Sequence, residues 1–259
     1  VCSSDLFDID GTLCFDGQHI DNRIISRLKQ LQSYGHQVIF ASARPIRDLL
    51  PVIPDFQNNT LIGGNGSIIS TDNKIKVIDY INQDDFELIK ELIVNYNLSY
   101  IVDDAWDYAA NVNANNTIYT RLDPHKLAEL RQLDEITHPI KVIFLNIKSH
   151  HFSEIAQHLM QHQTTLELIN HSNESNIDIT AHGINKYKTL QSILKNDAPY
   201  IAFGNDHNDI GLLQHATNGV LVSNNTFYID DLNNQPHISV INADINAICN
   251  QIDKYIATN

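Results

Sequence analysis

The sequence predicts an α/β fold in which a parallel sheet is interrupted by an inserted unit of mixed α and β. Two observations carry this. Apolar β-rich runs alternate with helical patterns through the first third of the chain and again through its last quarter. Between about residues 81 and 180 the pattern changes to longer polar helices and isolated strands. Residues 1–80 and 181–259 are therefore assigned to the sheet-bearing core, and 81–180 to the insert.

Taken in order, the first apolar run ends in "LFDIDGTL", residues 6–13. Arg23 to Tyr34 carries Ile24, Ile25, Leu28 and Leu31 at helical spacing and stops at Gly35, a suitable C-cap. Strand "QVIFASA" follows, then a Pro-marked loop, then "TLIGGNGSIIS", in which glycines separate a pair of short β segments. In the insert, Asp84 is expected to cap a helix bearing Phe86, Ile89, Ile93 and Tyr96, and Asp123-Pro124 to open another. "IKVIFLNI" reads as a buried strand, His151 to Gln163 as an amphipathic helix, and "NIDIT" as the last piece of the unit. The core pattern resumes with helix Lys186 to Leu194, strand "YIAFG", a helix from about Asp209 and strand "GVLVS".

Val1-Cys2-Ser3-Ser4-Asp5-Leu6 back-translates to a string that matches a common sequencing adapter. The natural first strand is accordingly expected to begin with further apolar residues.

Composition narrows the function. With 31 acidic against 17 basic residues, the net charge of −14 opposes binding to nucleic acid or anionic lipid through a general electrostatic attraction. No stretch reaches the roughly 18 apolar residues of a membrane span, and no basic-then-apolar leader opens the chain, so the expected location is the cytoplasm. Cys2, Cys14 and Cys249 are odd in number and unpatterned, which argues for free thiols rather than disulfides or a zinc module.

Asp8 and Asp10 stand two apart in extended chain, so both carboxylates leave one face, and Gly11 permits the turn that follows. Such a pair repels itself unless a cation or shared acid–base work compensates. A turn or a calcium loop is the plainer alternative. "FGNDHND" brings Asn205, Asp206, Asn208 and Asp209 to the same sheet edge; these oxygens suit magnesium, or simply cap the next helix. "ASAR" closes another strand with Ser42, Ala43 and Arg44; the hydroxyl and cation there could hold phosphate oxygens, or Ser42 could serve as a helix cap. Lys186, at a helix start, is a fourth contributor or a surface lysine.

In this order the four segments resemble the haloacid dehalogenase superfamily, and within it the Cof-type sugar-phosphate phosphatases with a large C2B-type cap. "DIDGTL", "ASAR", "GINKYKTL" and "GNDHNDI" look like its four motifs, and "GGNGSII" like the stretch after the second. The resemblance implies a Rossmann-like three-layer parallel-sheet core with an inserted α+β cap, and a Mg²⁺-dependent phosphatase of small phosphorylated metabolites. It implies Asp8 as nucleophile forming an aspartyl phosphate and Asp10 as general acid and base. It also implies Ser42, Ala43, Arg44, Lys186 and Asn208 around the phosphate, and Asp8, the Asp10 carbonyl and position 205 around the metal. Where the family carries Asp, this chain has Asn205, so weaker metal binding is expected unless Asp206 or Asp209 compensates. A phosphomutase-like transferase, a receiver-like phospho-acceptor and a weakened pseudoenzyme are the competing readings.

His158 and His162, four apart, have zinc-like spacing but no third ligand, and are expected to face solvent. Trp106 and Tyr108 are expected either over the active site or in packing.

Overall fold

The computed structural model describes residues 4–162, 164–171, 175–194, 198–224, 232 and 235–257. Cys2, with the rest of the first three adapter-like positions, lies outside them.

The chain runs β1 (Ser4–Asp8), α1 (Asn22–Ser33), β2 (Gln37–Ala41), α2 (Ile46–Leu49), β3 (Thr60–Gly63), β4 (Ile68–Thr71) and β5 (Lys74–Val77). The middle of the chain forms α3 (Gln83–Tyr96), β6 (Ser99–Asp103), β7 (Tyr108–Asn111), β8 (Lys141–Leu145), α4 (Ser149–Met160), β9 (Leu166–His171) and β10 (Asn176–Ala181). It closes with α5 (Lys186–Ile193), β11 (Tyr200–Gly204), α6 (Ile210–His215), β12 (Asn218–Val222), β13 (Ile238–Ile241) and α7 (Ile245–Ala257).

Eight strands form the core sheet in the order β13-β12-β11-β1-β2-β3-β4-β5. The first six are parallel; β4 and β5 turn back as an antiparallel edge. β1 is central and buried on both faces: Leu6 and Phe7 fill them ahead of Asp8, and the buried Asp5 is compensated by His36 at 2.5 Å. Phe7 stacks on Phe203 at 4.8 Å and, with Phe40, meets α1 and α7 through Leu28, Leu31, Ile248 and Ile252. Leu6, Ile39 and Ala202 point the other way onto α5 and α6 through Leu190, Leu212 and Leu213. The result is three layers, α/β/α. Asp21 caps α1 by accepting from the Arg23 amide; Gly35, the end that the sequence predicts, follows with φ +88°. Truncating Leu28, wholly buried between α1 and the sheet, to Ala is expected to cost about 2–5 kcal/mol.

The chain leaves β1 for β2 on one side and later returns through β11 on the other, so a topological switch point lies at the carboxyl end of β1. That is where the acidic motif sits.

A second, wholly antiparallel sheet, β7-β6-β8-β10-β9, forms the cap. Period-2 alternation divides its faces. Val102, Val142, Phe144, Ile177 and Ile179 pack under α3 and α4 with Phe86, Ile89, Ile155 and Leu159. Ile101, Asp103, Lys141, Ile143 and Asp178 occupy the alternate positions and line a cavity shared with the core.

Two helix starts differ from expectation. Asn82, not Asp84, caps α3, accepting from the Asp85 amide. Asp123-Pro124 opens no helix: Asp123 and Lys126 take φ +42° and +53°, and the Asp123 carboxylate accepts from the Leu127 and Ala128 amides, closing a compact turn.

Candidate active site

Three strand ends converge at the switch point: β1 ends on Asp8, β2 is followed by Ser42 and β11 by Asn205. From the next layer α5 presents Lys186, its first residue, while Asn185 caps the helix on the Lys188 amide. Lys186 Nζ donates to Asp8 Oδ1 at 2.6 Å and to Asp209 Oδ1 at 2.7 Å, giving a buried row of one ammonium between two carboxyls. Thr12 Oγ1 donates to the other Asp8 oxygen at 2.9 Å. Burial, and after it the charge of Asp209, pushes the Asp8 carboxyl up to about 7, with Lys186 and Thr12 pulling the other way. Burial also disfavours the Lys186 cation, yet the charges of Asp209 and Asp8 outweigh it and hold its pKa above the ordinary value.

Glycine is required at two places. Gly11 adopts φ +79°, and a Cβ on it would lie 2.2 Å from the Asn205 amide. Gly66 adopts φ +111°, and a Cβ there would meet the Asn185 carbonyl at 2.6 Å; its own carbonyl accepts from Thr189 Oγ1. The glycine-rich loop thus holds the start of α5, and with it Lys186, against the sheet.

Asp10 lies on the open side. Arg44 grips it with two hydrogen bonds, Nε to Oδ2 at 2.8 Å and Nη2 to Oδ1 at 2.6 Å, and Nη2 also reaches the Gly17 carbonyl. The expectation that Arg44 turns to a phosphate is not met in this structure: its guanidinium is committed to Asp10. Ser42, buried, does not cap α2, whose cap position is Pro45; its Oγ accepts from the Arg44 amide. Asn208 donates to Asn65 Oδ1 at 3.1 Å, while its own Oδ1 is buried with no hydrogen-bond partner among the described residues. Asp206 is exposed and accepts from the His207 amide, and Asp209 Oδ2 accepts from the Asn205 and Asp206 amides. Neither acid therefore brings a free carboxylate to the place of Asn205.

The cap closes over these groups. A cavity of ≈ 210 Å³ lies between Asp10, Ala43 and Arg44 below and the open face of the cap sheet above. It opens on Asp10 rather than on Asp8, which lies deeper. Arg121, from the cap segment after β7, crosses Gly17 and approaches Asp10 Oδ1 at 3.8 Å. Lys141 Nζ donates to the Ala43 carbonyl at 2.9 Å and pairs with Asp178 at 2.7 Å. Arg47, a core side chain 1% exposed, is buried in the cap. It pairs with Asp103, donates to the Trp106 carbonyl at 2.9 Å and lies 4.3 Å from the Tyr108 ring centroid. Trp106 and Tyr108 are interdomain packing.

The model of the haloacid dehalogenase-like hydrolases matches residues 6–252. The chain is a haloacid dehalogenase-like hydrolase. A relative in Bacillus subtilis strain 168, 5-amino-6-(5-phospho-D-ribitylamino)uracil phosphatase YitU, is 23% identical over 245 residues, covering 84% of this chain and 85% of that one. SMU.1108c from Streptococcus mutans UA159 shares the fold with a TM-score of 0.81 at 22% identity, over 99% and 100% of the two chains. A haloacid dehalogenase-like hydrolase from Bacteroides thetaiotaomicron does so with a TM-score of 0.82 at 18% identity, over 98% and 100%. The subclass IIB sugar phosphatase BT4131 does so with 0.77 at 18%, over 98% of each chain.

The hydrolase has an all-oxygen donor set where the family implies magnesium. The terminal amide of Asn205 lies 3.0 Å from Asp8 Oδ2, 3.0 Å from the Asp10 carbonyl and 3.1 Å from Thr12 Oγ1. Hydrogen bonding turns its nitrogen inward, where its two N–H groups face these three oxygens. Turned over, the amide would offer its oxygen beside Asp8 and the Asp10 carbonyl, a set suited to a hard dication. The residues therefore fit magnesium, with one carboxylate rather than two.

No group of three or more His, Cys, Asp or Glu capable of holding a metal occurs among the described residues, and the histidine pair forms no site. His158 is exposed, and His162, beyond the end of α4, bonds Asp85 at 2.7 Å. Sequence reasoning missed the roles of Thr12, Asn65 and Arg121. The first two lie inside motifs already quoted, Asn65 marked by its place between glycines with φ +59°. Arg121 has no local signal, because only the packing of the cap brings it to Asp10. Among the described residues no helix is long and apolar enough to cross a membrane.

Proposed function

We propose that this hydrolase cleaves small phosphomonoesters through an aspartyl phosphate on Asp8, with Mg²⁺. The observation that carries the reading is the environment of Asp8. One carboxylate oxygen is held by Lys186 and the other by Thr12, at the switch point of the sheet and two residues from a second, more exposed acid. That arrangement aims a nucleophile and keeps its charge compensated.

Asp8 attacks phosphorus in line, and the bond to the leaving oxygen breaks. Asp10, at the mouth of the cavity, delivers a proton to that oxygen and afterwards takes one from the water that hydrolyses the aspartyl phosphate. Lys186 and Ser42 stand where they can hold the transferring oxygens; Asn208 offers its buried amide beside them. Mg²⁺, held by Asp8, the Asp10 carbonyl and Asn205, would supply charge compensation between the anionic nucleophile and the anionic ester. The Bacillus relative's name, a phosphatase of a ribitylaminouracil phosphate, supports the same reaction class.

Release of p-nitrophenol from p-nitrophenyl phosphate with Mg²⁺ tests the reading. Asp8→Asn is expected to lower kcat by at least about 10³-fold; retention of more than a tenth of the activity would refute Asp8 as nucleophile.

A further inference from the structure

We propose that Asp178 and Asn65 are positioning residues: the cap carboxylate, acting through Asn65, fixes which way the Asn208 amide is turned, so that Asn208 presents its oxygen only with the cap seated. This rests on the reaction proposed above.

Four polar side chains run in a line from cap to core. Lys141 on β8 pairs with Asp178 on β10 at 2.7 Å and, by donating to the Ala43 carbonyl at 2.9 Å, docks that pair on the core. Asp178 Oδ2 also accepts from Asn65 Nδ2 at 3.2 Å. Asn65 Oδ1 in turn accepts from Asn208 Nδ2 at 3.1 Å. Lys141, Asp178 and Asn65 are buried. The Asn65 backbone amide donates to the Ser42 carbonyl at 3.1 Å, so this residue and Ala43 are held in one place.

The line has a direction, because a carboxylate carries acceptors and no donor. Asn65 must turn its NH2 to Asp178, which leaves its oxygen for Asn208. Asn208 must answer with its own NH2, which turns its oxygen away. That oxygen is buried with no hydrogen-bond partner among the described residues. A buried acceptor left unmet is costly, so a donor brought by the reaction is its natural partner. A phosphoryl dianion only accepts, whereas water donates. Asn208 also precedes Asp209, which shares Lys186 with Asp8. The amide turned by the cap therefore stands one residue from the network that holds the nucleophile. Without Asp178, nothing in the line distinguishes the two ends of either amide.

The test reads kcat for p-nitrophenyl phosphate alongside Tm. Asn65→Gly suits the positive φ of that position and leaves the Lys141–Asp178 pair whole. It is expected to lower kcat about tenfold, but less than about twofold in an Asn208→Ala background, since both residues act in one line. Asp178→Asn is expected to lower kcat similarly; if it does not fold, Asn65→Gly decides alone. Combining Asn65→Asp with Asp178→Asn returns an acceptor-only group to the line, now beside Asn208. That double variant is expected to restore kcat to within about threefold of the wild type while Tm stays low, because Lys141 has lost its buried carboxylate partner. A merely structural role predicts that kcat follows Tm through the series, or that Asn65→Gly costs as much without Asn208 as with it; either result overturns the proposal.

Should the wild type not hydrolyse p-nitrophenyl phosphate, the reaction itself fails and the line is read directly. The side-chain amide ¹⁵N signal of Asn208, assigned by its loss in Asn208→Ala, is expected to shift in Asp178→Asn and to return in the double variant. A signal that stays put in the first, or stays shifted in the second, overturns the proposal.

Discussion

Arg44 holds Asp10 by a two-pronged ion pair, with Nε on one carboxylate oxygen and Nη2 on the other. A guanidinium in this geometry orients a carboxylate as well as attracting it. Asp10 is thereby held at the mouth of the cavity, where the proposed reaction would have it protonate the leaving oxygen. Arg44→Lys keeps the charge and loses the fork. Its kcat is expected to fall about 10²-fold for alkyl phosphates, which need the proton, and far less for p-nitrophenyl phosphate, whose leaving group departs unassisted. Equal losses on both esters would show that Arg44 serves something other than the acid.

Asn205 brings an amide where a second carboxylate would hold a dication more firmly. Asn205→Asp is expected to tighten Mg²⁺ binding, measured by titration calorimetry, about tenfold or more, since added charge beside a dication outweighs the extra repulsion with Asp8. Unchanged affinity would mean that position 205 does not touch the metal. If the substitution also raises kcat, the natural enzyme is limited by metal occupancy.

Arg47 anchors the core to the cap. Arg47→Ala strips Asp103 of its buried partner and is expected to destabilise the protein by about 3–5 kcal/mol, read from the first unfolding transition in urea. The double variant Arg47→Met with Asp103→Leu removes both charges and is expected to recover most of that loss. A double variant as unstable as the single one would show that the pairing with Asp103 is not what dominates, leaving packing on Tyr108 and the 3.2 Å pair of Arg47 with Asp48.

Asp48 sets a pH dependence. Burial, opposed by Arg47, pushes its carboxyl from an ordinary value near 3.8 up to about 7. The folded state therefore holds this proton more tightly than the unfolded state, and ionising Asp48 weakens the fold. Its penalty is absent below about pH 4, grows as pH rises towards 7 and is constant above that. Asp48→Asn keeps an acceptor for the Asp123 amide but cannot ionise. The variant is expected to gain Tm relative to the wild type at about pH 8 and to lose that advantage near pH 4.5. An advantage independent of pH would exclude the titration.

Much of this architecture was legible in the residues. Leu6 and Phe7 ahead of Asp8 and Asp10, the helical spacing of Ile24, Leu28 and Leu31, and the order of the four motifs located the switch point and the residues around it. Local chemistry sets those features, so they survive in the linear chain. The helix expected at Asp123-Pro124 failed because Asp123 uses its carboxylate to close a turn, a choice dependent on the Asp48 carboxylate 75 residues away. Arg44 was legible as a cation at the site but not as the partner of Asp10, because that depends on where two strand ends meet. Arg47 and Arg121 were silent for the same reason: both act across the boundary between core and cap.

Rapid acid quench during turnover of a good substrate, followed by peptide mass analysis, reads whether Asp8 carries the phosphoryl group. A transient phosphoryl adduct is expected on the peptide containing Asp8, absent from Asp8→Asn. Full turnover with no adduct at any time point, or an adduct on another residue, would contradict it.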